Sequence, residues 1–113
     1  MALPTGSGSE RLKRITLHNN NATWTEIFSG TALHIYTIIS IIACDQVDTA
    51  GTISIRINNG TDNITILEGQ NVASKSTFIW SDKFVLEEDD DLDVYNSNSN
   101  TDWYITYIDQ DWT

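Results

Sequence analysis

The feature that most constrains this chain is the run Leu33-His34-Ile35-Tyr36-Thr37-Ile38-Ile39-Ser40-Ile41-Ile42-Ala43-Cys44. At a period of two residues, one face carries Ile35, Thr37, Ile39, Ile41 and Ala43, and the other Tyr36, Ile38, Ser40 and Ile42. Both faces are apolar. A strand of this kind is buried on both sides and sits at the centre of a packed sheet. The surrounding runs alternate apolar with polar instead. The clearest is Ile53, Ile55 and Ile57 against Thr52, Ser54, Arg56 and Asn58, the pattern of a half-buried strand.

Turn chemistry separates the runs. Asn19-Asn20-Asn21, Ser29-Gly30-Thr31, Asn58-Asn59-Gly60-Thr61, Glu68-Gly69-Gln70-Asn71 and Asn96-Ser97-Asn98-Ser99-Asn100 all read as turns. Between them lie strands over 11–18, 22–28, 33–44, 52–58, 62–67, 72–81, 84–86, 92–95 and the final strand from Trp103 to Ile108. No segment has helical periodicity. Eight or nine short strands at regular spacing predict an all-β, antiparallel β-sandwich, jelly-roll-like, with the strand order left open. The 113 residues suit one domain over 11–113, preceded by a flexible Gly/Ser arm over 1–10.

Formal net charge is −10. Residues 1–14 hold Arg11, Lys13 and Arg14 against Glu10, a net of +2, which leaves −12 for the remainder. An acidic body repels phosphate backbones and argues against nucleic acid as a partner. The basic segment has two readings, a strand edge protected by charge and a contact with an acidic partner. No segment approaches the ~20 apolar residues of a membrane helix, and none supplies a secretory signal, so membrane association is not expected and synthesis in a cytoplasm is. Cys44 is the sole cysteine and reads as a structural thiol at the end of the buried strand.

The inventory for catalysis is thin. His18 and His34 are the only histidines. On one extended strand, His34 and Cys44 would stand about 33 Å apart at ~3.3 Å per residue, too far to act together. No enzyme activity, no cofactor and no metal site is expected. The run from Glu87 to Asp93 places Asp89, Asp91 and Asp93 in alternation. Calcium is one reading of it. A solvated turn between strands is the preferred one, because the glycine and distant glutamate of a calcium loop are missing. Trp24, Trp80 and Trp103 fall inside strand patterns and are expected to pack. Trp112 follows the last strand, where an aromatic either tucks back or anchors a partner.

The order of these features resembles small structural proteins of tailed bacteriophage particles. The likeness rests on the arm ending in Ser9-Glu10-Arg11-Leu12-Lys13-Arg14, the strand His34–Ile42, and the hairpin Ile53–Gly60. It continues through Ser76–Leu86, the acidic turn leading into Leu92-Asp93-Val94-Tyr95, and the closing Tyr104–Trp112. Compact β-sandwiches of this layout look like capsid decoration, or cement, proteins. The resemblance implies a non-enzymatic virion protein on the outer surface of the capsid. Its partners would be the major capsid protein and further copies of itself, as a dimer or trimer. Arg11, Leu12, Lys13, Arg14 and Trp112 are the expected contacts, with the arm over 1–14 removable without unfolding the domain. The alternative is a glycan-binding or minor structural module of a phage tail or head fibre, which calls for exposed, coplanar tryptophans.

Overall fold

A computed structural model describes residues 9–112. Among the described residues there are nine strands and no helix. They are β1 (Ser9–Asn19), β2 (Thr25–Ser29), β3 (His34–Asp45), β4 (Gly51–Asn58), β5 (Asn63–Val72), β6 (Thr77–Trp80), β7 (Phe84–Leu86), β8 (Asp91–Asn96) and β9 (Thr101–Asp111). One sheet has the order β1-β9-β3-β6, with β7 also on β3; the other has the order β2-β8-β4-β5. Every pairing is antiparallel.

The pairs are nested. β4 pairs β5, β3 pairs β6 and β7, β2 pairs β8, and β1 pairs β9, alternating between the two sheets. A long antiparallel ribbon rolled in this way is a jelly roll, in which β6 and β7 together fill one strand position. The strand order left open by the sequence is therefore decided by long-range pairing. β3 is central as expected, with β9 on one side and β6 and β7 on the other.

The burial of β3 differs from the expectation. Ile38 pairs Tyr107 and Ser40 pairs Thr106, so Ile39 is a bulge residue without its own partner. A bulge inserts one residue and exchanges the faces beyond it. Tyr36 and Ile38 point into the sandwich before it, and Ile41, Ala43 and Asp45 after it. The other face, with Ile35, Thr37, Ile42 and Cys44, is only half-buried. Strict alternation read across the bulge had mixed the two faces.

Other boundaries move for physical reasons. The expected arm covered 1–10. Residues 1–8 lie outside the described residues, and Ser9 and Glu10 begin β1, paired with Asp111 and Gln110. The second strand begins at Thr25 rather than residue 22. Glu68–Asn71 is not a turn but part of β5. Ile53 pairs Gln70 and Ile55 pairs Leu67, so this segment carries an extra residue. Gly69 sits there at φ 61°, where a side chain is disfavoured, and its N–H donates to the buried Ser54 Oγ at 2.9 Å. Asn96, expected in a turn, ends β8 and is 1% exposed.

The core between the sheets holds Ile38, Ile41, Ile55, Leu86, Leu92, Val94, Trp103 and Ile105. At one end Phe28, Tyr36 and Tyr107 form an edge-to-face aromatic cluster, with centroids 4.5 to 6.1 Å apart. At the other end Asn96 Oδ1 accepts from Asn19 Nδ2 at 2.8 Å and from Trp103 Nε1 at 3.2 Å. Buried polar groups persist only when bonded in this way. Beyond the hairpin turn, Ile66 packs on the core, but Ile64 is 50% exposed near the tip.

Candidate interaction surface

Arg11, Leu12, Lys13 and Arg14 lie on β1, the outermost strand of its sheet, and all four are exposed. Alternation sends Leu12 and Arg14 to the outer face of the sheet, and Arg11 and Lys13 to the side facing the other sheet. Lys13 is engaged: its Nζ donates to Asp109 Oδ2 at 2.8 Å. His34 Nδ1 donates to Asp109 Oδ1 at 2.7 Å. Burial would push the Asp109 carboxyl up, but the bonds from Lys13 and His34 outweigh it and hold the carboxyl below its ordinary value. The same bond raises Lys13. Three strands are thus clipped together, and among the four residues Lys13 acts within the chain.

Trp112 lies at the same end, because β1 begins where β9 finishes. Its backbone N–H donates to Leu33 O at 2.9 Å. The ring is half-buried, and its Nε1 is buried without a hydrogen-bond partner. Part of the ring therefore tucks against the domain and part remains exposed.

The outer face of the five-stranded sheet is apolar. Register sets its rows: Leu12–Ile108–Thr37–Val85, then Arg14–Thr106–Ser40, then Thr16–Tyr104–Ile42–Ile79. Leu12 is 72% exposed, Ile79 60%, Val85 52% and Tyr104 40%. These are four of the five large exposed apolar side chains among the described residues, Ile64 being the fifth. Sequence reasoning found only Leu12. The signal for the rest was present in 33–44, whose second apolar face had no partner assigned to it.

The next row, His18–Asp102–Cys44, borders a depression of about 470 Å³ that Thr16, Ile42 and Tyr104 also line. His18 Nδ1 donates to Asp102 Oδ1, and Gln46 Nε2 donates to Asp102 Oδ2. Asp102 stands on the strand between His18 and Cys44. Two strand spacings put those strands about 10 Å apart. A thiol and its base act only within hydrogen-bond reach, so this row does not make an activated nucleophile. Among the described residues, no group of three or more His, Cys, Asp or Glu converges to hold a metal ion.

The acidic segment is a wired turn. Asp90 Oδ2 accepts from Glu87 N at 2.8 Å, and Glu88 Oε2 accepts from Leu33 N at 3.0 Å. Gly30 packs against it so closely that a Cβ there would stand 2.4 Å from Glu87 O. Asp91 and Asp93 belong to β8. The tryptophans do not form a coplanar exposed platform. Trp103 is 1% exposed, Trp80 is half-buried with Nε1 bonded to Asp82 O at 2.8 Å, and Trp24 is covered by the Arg56 guanidinium at 4.1 Å.

The sequence matches no family model and no curated protein. The fold does have solved neighbours. A protein of Bacillus endospore appendages, described as a novel family of disulfide-linked pili, aligns at TM-score 0.60 and 17% identity, over 100% of this chain and 97% of that one. A chain of the infectious bursal disease virus particle aligns at TM-score 0.54 and 8% identity, over 96% of this chain and 33% of that one. A particle derived from the same virus gives TM-score 0.53 and 9% identity, over 91% and 32%. This chain spans about a third of the length of those viral chains. At such identities the likeness is one of fold: a jelly roll shared with pilus and capsid proteins.

Proposed function

We propose that the protein is a non-enzymatic structural component of a virus particle, and specifically a capsid decoration protein of a tailed bacteriophage. It sits on the outer surface of the shell, bridges copies of the major capsid protein and stabilises the assembled state. Any ligand that binds only the assembled form shifts the equilibrium toward it. Synthesis occurs in the host cytoplasm.

The observation that carries this reading is the segregation of charge. On a chain of net charge −10, Arg11 and Arg14 stand exposed on an outermost strand, while Lys13 is tied to Asp109. Exposed arginines on both sides of an outermost strand of an acidic body favour association with an acidic surface. Leu12 lies between them, 72% exposed, and supplies apolar contact. Trp112 contributes through its half-buried ring at the same end.

The test is binding of the full chain to expanded, mature-like capsids, followed by sedimentation and by the capsid disruption temperature. Binding should raise that temperature. Charge reversal of both Arg11→Glu and Arg14→Glu should weaken binding at least ~10-fold. Absence of shell binding, with the protein at the tail tip instead, rejects the reading. The clean truncation is residues 1–8. Removing 1–14 also deletes six residues of β1 and their pairing to β9, which the expected removable arm overlooked.

A further inference from the structure

We infer that two copies of this chain pack the outer faces of their five-stranded sheets against each other, about a two-fold axis parallel to the strands. The inference does not depend on the decoration reading.

Three observations lead to it. First, β3 has the composition of a strand covered on both faces, yet the chain covers only one. Second, the uncovered face is the neutral face of an acidic protein. Across the three rows from Leu12 to Ile79 it carries Arg14 and no carboxylate, whereas the chain holds 16 Asp and Glu. Two copies of net charge −10 repel one another, and a contact centred on these three rows keeps their carboxylates at its edges. Third, the area suffices. Four strand positions at ~4.8 Å and the eleven residues of β9 at ~3.4 Å give about 700 Å² per copy, near the ~800 Å² of a stable interface; the three neutral rows supply about half of this, and the rest is a polar rim that includes Glu10 and Asp102.

The register selects the axis. A two-fold parallel to the strands, running between β9 and β3, sets Leu12 against Val85 of the second copy. It also sets Tyr104 against Ile42, Thr16 against Ile79, and Ile108 against Thr37. Arg14 then meets the segment between β6 and β7, which contains Asp82 and Lys83. Every large apolar side chain meets an uncharged one. A two-fold across the strands through the Arg14–Thr106–Ser40 row would instead set Arg14 on Arg14 of the second copy, like charge against like. Aligned sheets pack about 10 Å apart with strands crossing near 30°, which the central rows tolerate. A C2 contact of this kind is isologous and closes as a dimer. Cys44 faces Asp102 of the other copy, not its own counterpart, so no disulfide is needed.

The test is sedimentation velocity of the full chain at increasing concentration, with reductant present. A dimer is expected. Val85→Glu and Ile79→Glu should each weaken it at least ~10-fold while far-UV circular dichroism and Tm stay near wild type, since both positions are exposed. Ile64→Glu, on the other sheet, should leave it unchanged. For the axis, chains carrying Leu12→Cys and Val85→Cys, each with Cys44→Ser, are mixed and oxidised. The mixture should cross-link, and Leu12→Cys alone should not. A wild-type monomer throughout the range overturns the inference. So does a dimer indifferent to both glutamates, or equal cross-linking of Leu12→Cys with itself. If a monomer loses shell binding through Val85→Glu, the face belongs to a capsid subunit and the dimer is rejected. Arg11→Glu alone, on the opposite side of β1 from this face, tests the decoration reading separately.

Discussion

The outer faces of the two sheets start from the same alternation and end with opposite chemistry. On the four-stranded sheet several polar groups find partners within the chain. Arg56 Nε donates to Asp93 Oδ2 at 3.1 Å while the guanidinium lies 4.1 Å from the Trp24 ring centroid. Trp24 packs on Tyr95 at 5.6 Å, and Ser29 Oγ donates to Asp91 Oδ1 at 2.7 Å. On the five-stranded sheet, Leu12, Ile79, Val85 and Tyr104 stand in water. A face whose polar groups are already paired gains little from a partner. An apolar face gains with every Å² removed from water, by about 25 cal/mol. The comparison assigns association to the five-stranded face and monomer stability to the core and the four-stranded face.

The sharpest way to break that assignment is to truncate β3 on each side in turn. Ile38→Ala empties a fully buried site and should cost about 2–5 kcal/mol in urea unfolding. Ile42→Ala, on the half-buried outer face, should cost at most ~1 kcal/mol at concentrations where the chain is monomeric. Equal losses would mean that the outer face is part of the monomer's core.

A smaller contrast lies between the arginines. Arg56→Ala removes a partly buried ion pair and a cation–π contact together, and should destabilise by about 1–2 kcal/mol. Arg14→Ala should stay within ~0.5 kcal/mol, as exposed substitutions usually do. The reverse order would undo the division between a self-satisfied and an open face.

The smallest effects are in the acid limb, and they have opposite signs. Asp109 has a lowered carboxyl, so its stabilisation is complete above its ordinary value of 3.8 and is lost as pH falls through the folded value below that. Asp109→Asn should flatten the loss of Tm below about pH 4. Glu26, on the charged face, is raised by the neighbouring Asp91 charge, then by burial and by its bond to Asp91. Its ionised form therefore opposes folding, and that penalty disappears as pH falls through its folded value, above the ordinary 4.5. Glu26→Gln should raise stability at neutral pH by less than ~1 kcal/mol and leave it unchanged at pH 3. A loss at neutral pH would show that Glu26 supports the four-stranded face.

Much of the fold was legible because its cause is local. Asn58 Oδ1 accepts from Gly60 N, and Asn59 Oδ1 from Thr61 N and Asp62 N, so the hairpin follows from the Asn-rich turn itself. In β9, Trp103, Ile105 and Tyr107 face the core in the alternation the sequence shows. The errors occur where a distant strand intervenes. Turn-like residues at Glu68–Asn71 remain in β5 because β4 accommodates the extra residue beside Ser54. Asn96 is buried because Asn19 and Trp103, far along the chain or across a turn, bond to it.

The candidate surface was legible only in part. The basic cluster Arg11–Arg14 is visible as a run of letters, but Lys13 is held by Asp109, 96 residues away. Val85 and Ile79 look like ordinary strand residues until the register sets them in rows with Leu12 and Tyr104.

By itself the sequence determined an all-β chain with a central strand over 33–44, since hydrophobic period and turn chemistry act over a few residues. The tertiary structure alone decided the nested jelly-roll order, the bulge at Ile39 and the exposed apolar face. Strand pairing and register join residues far apart in the chain, and no local pattern records which strands meet.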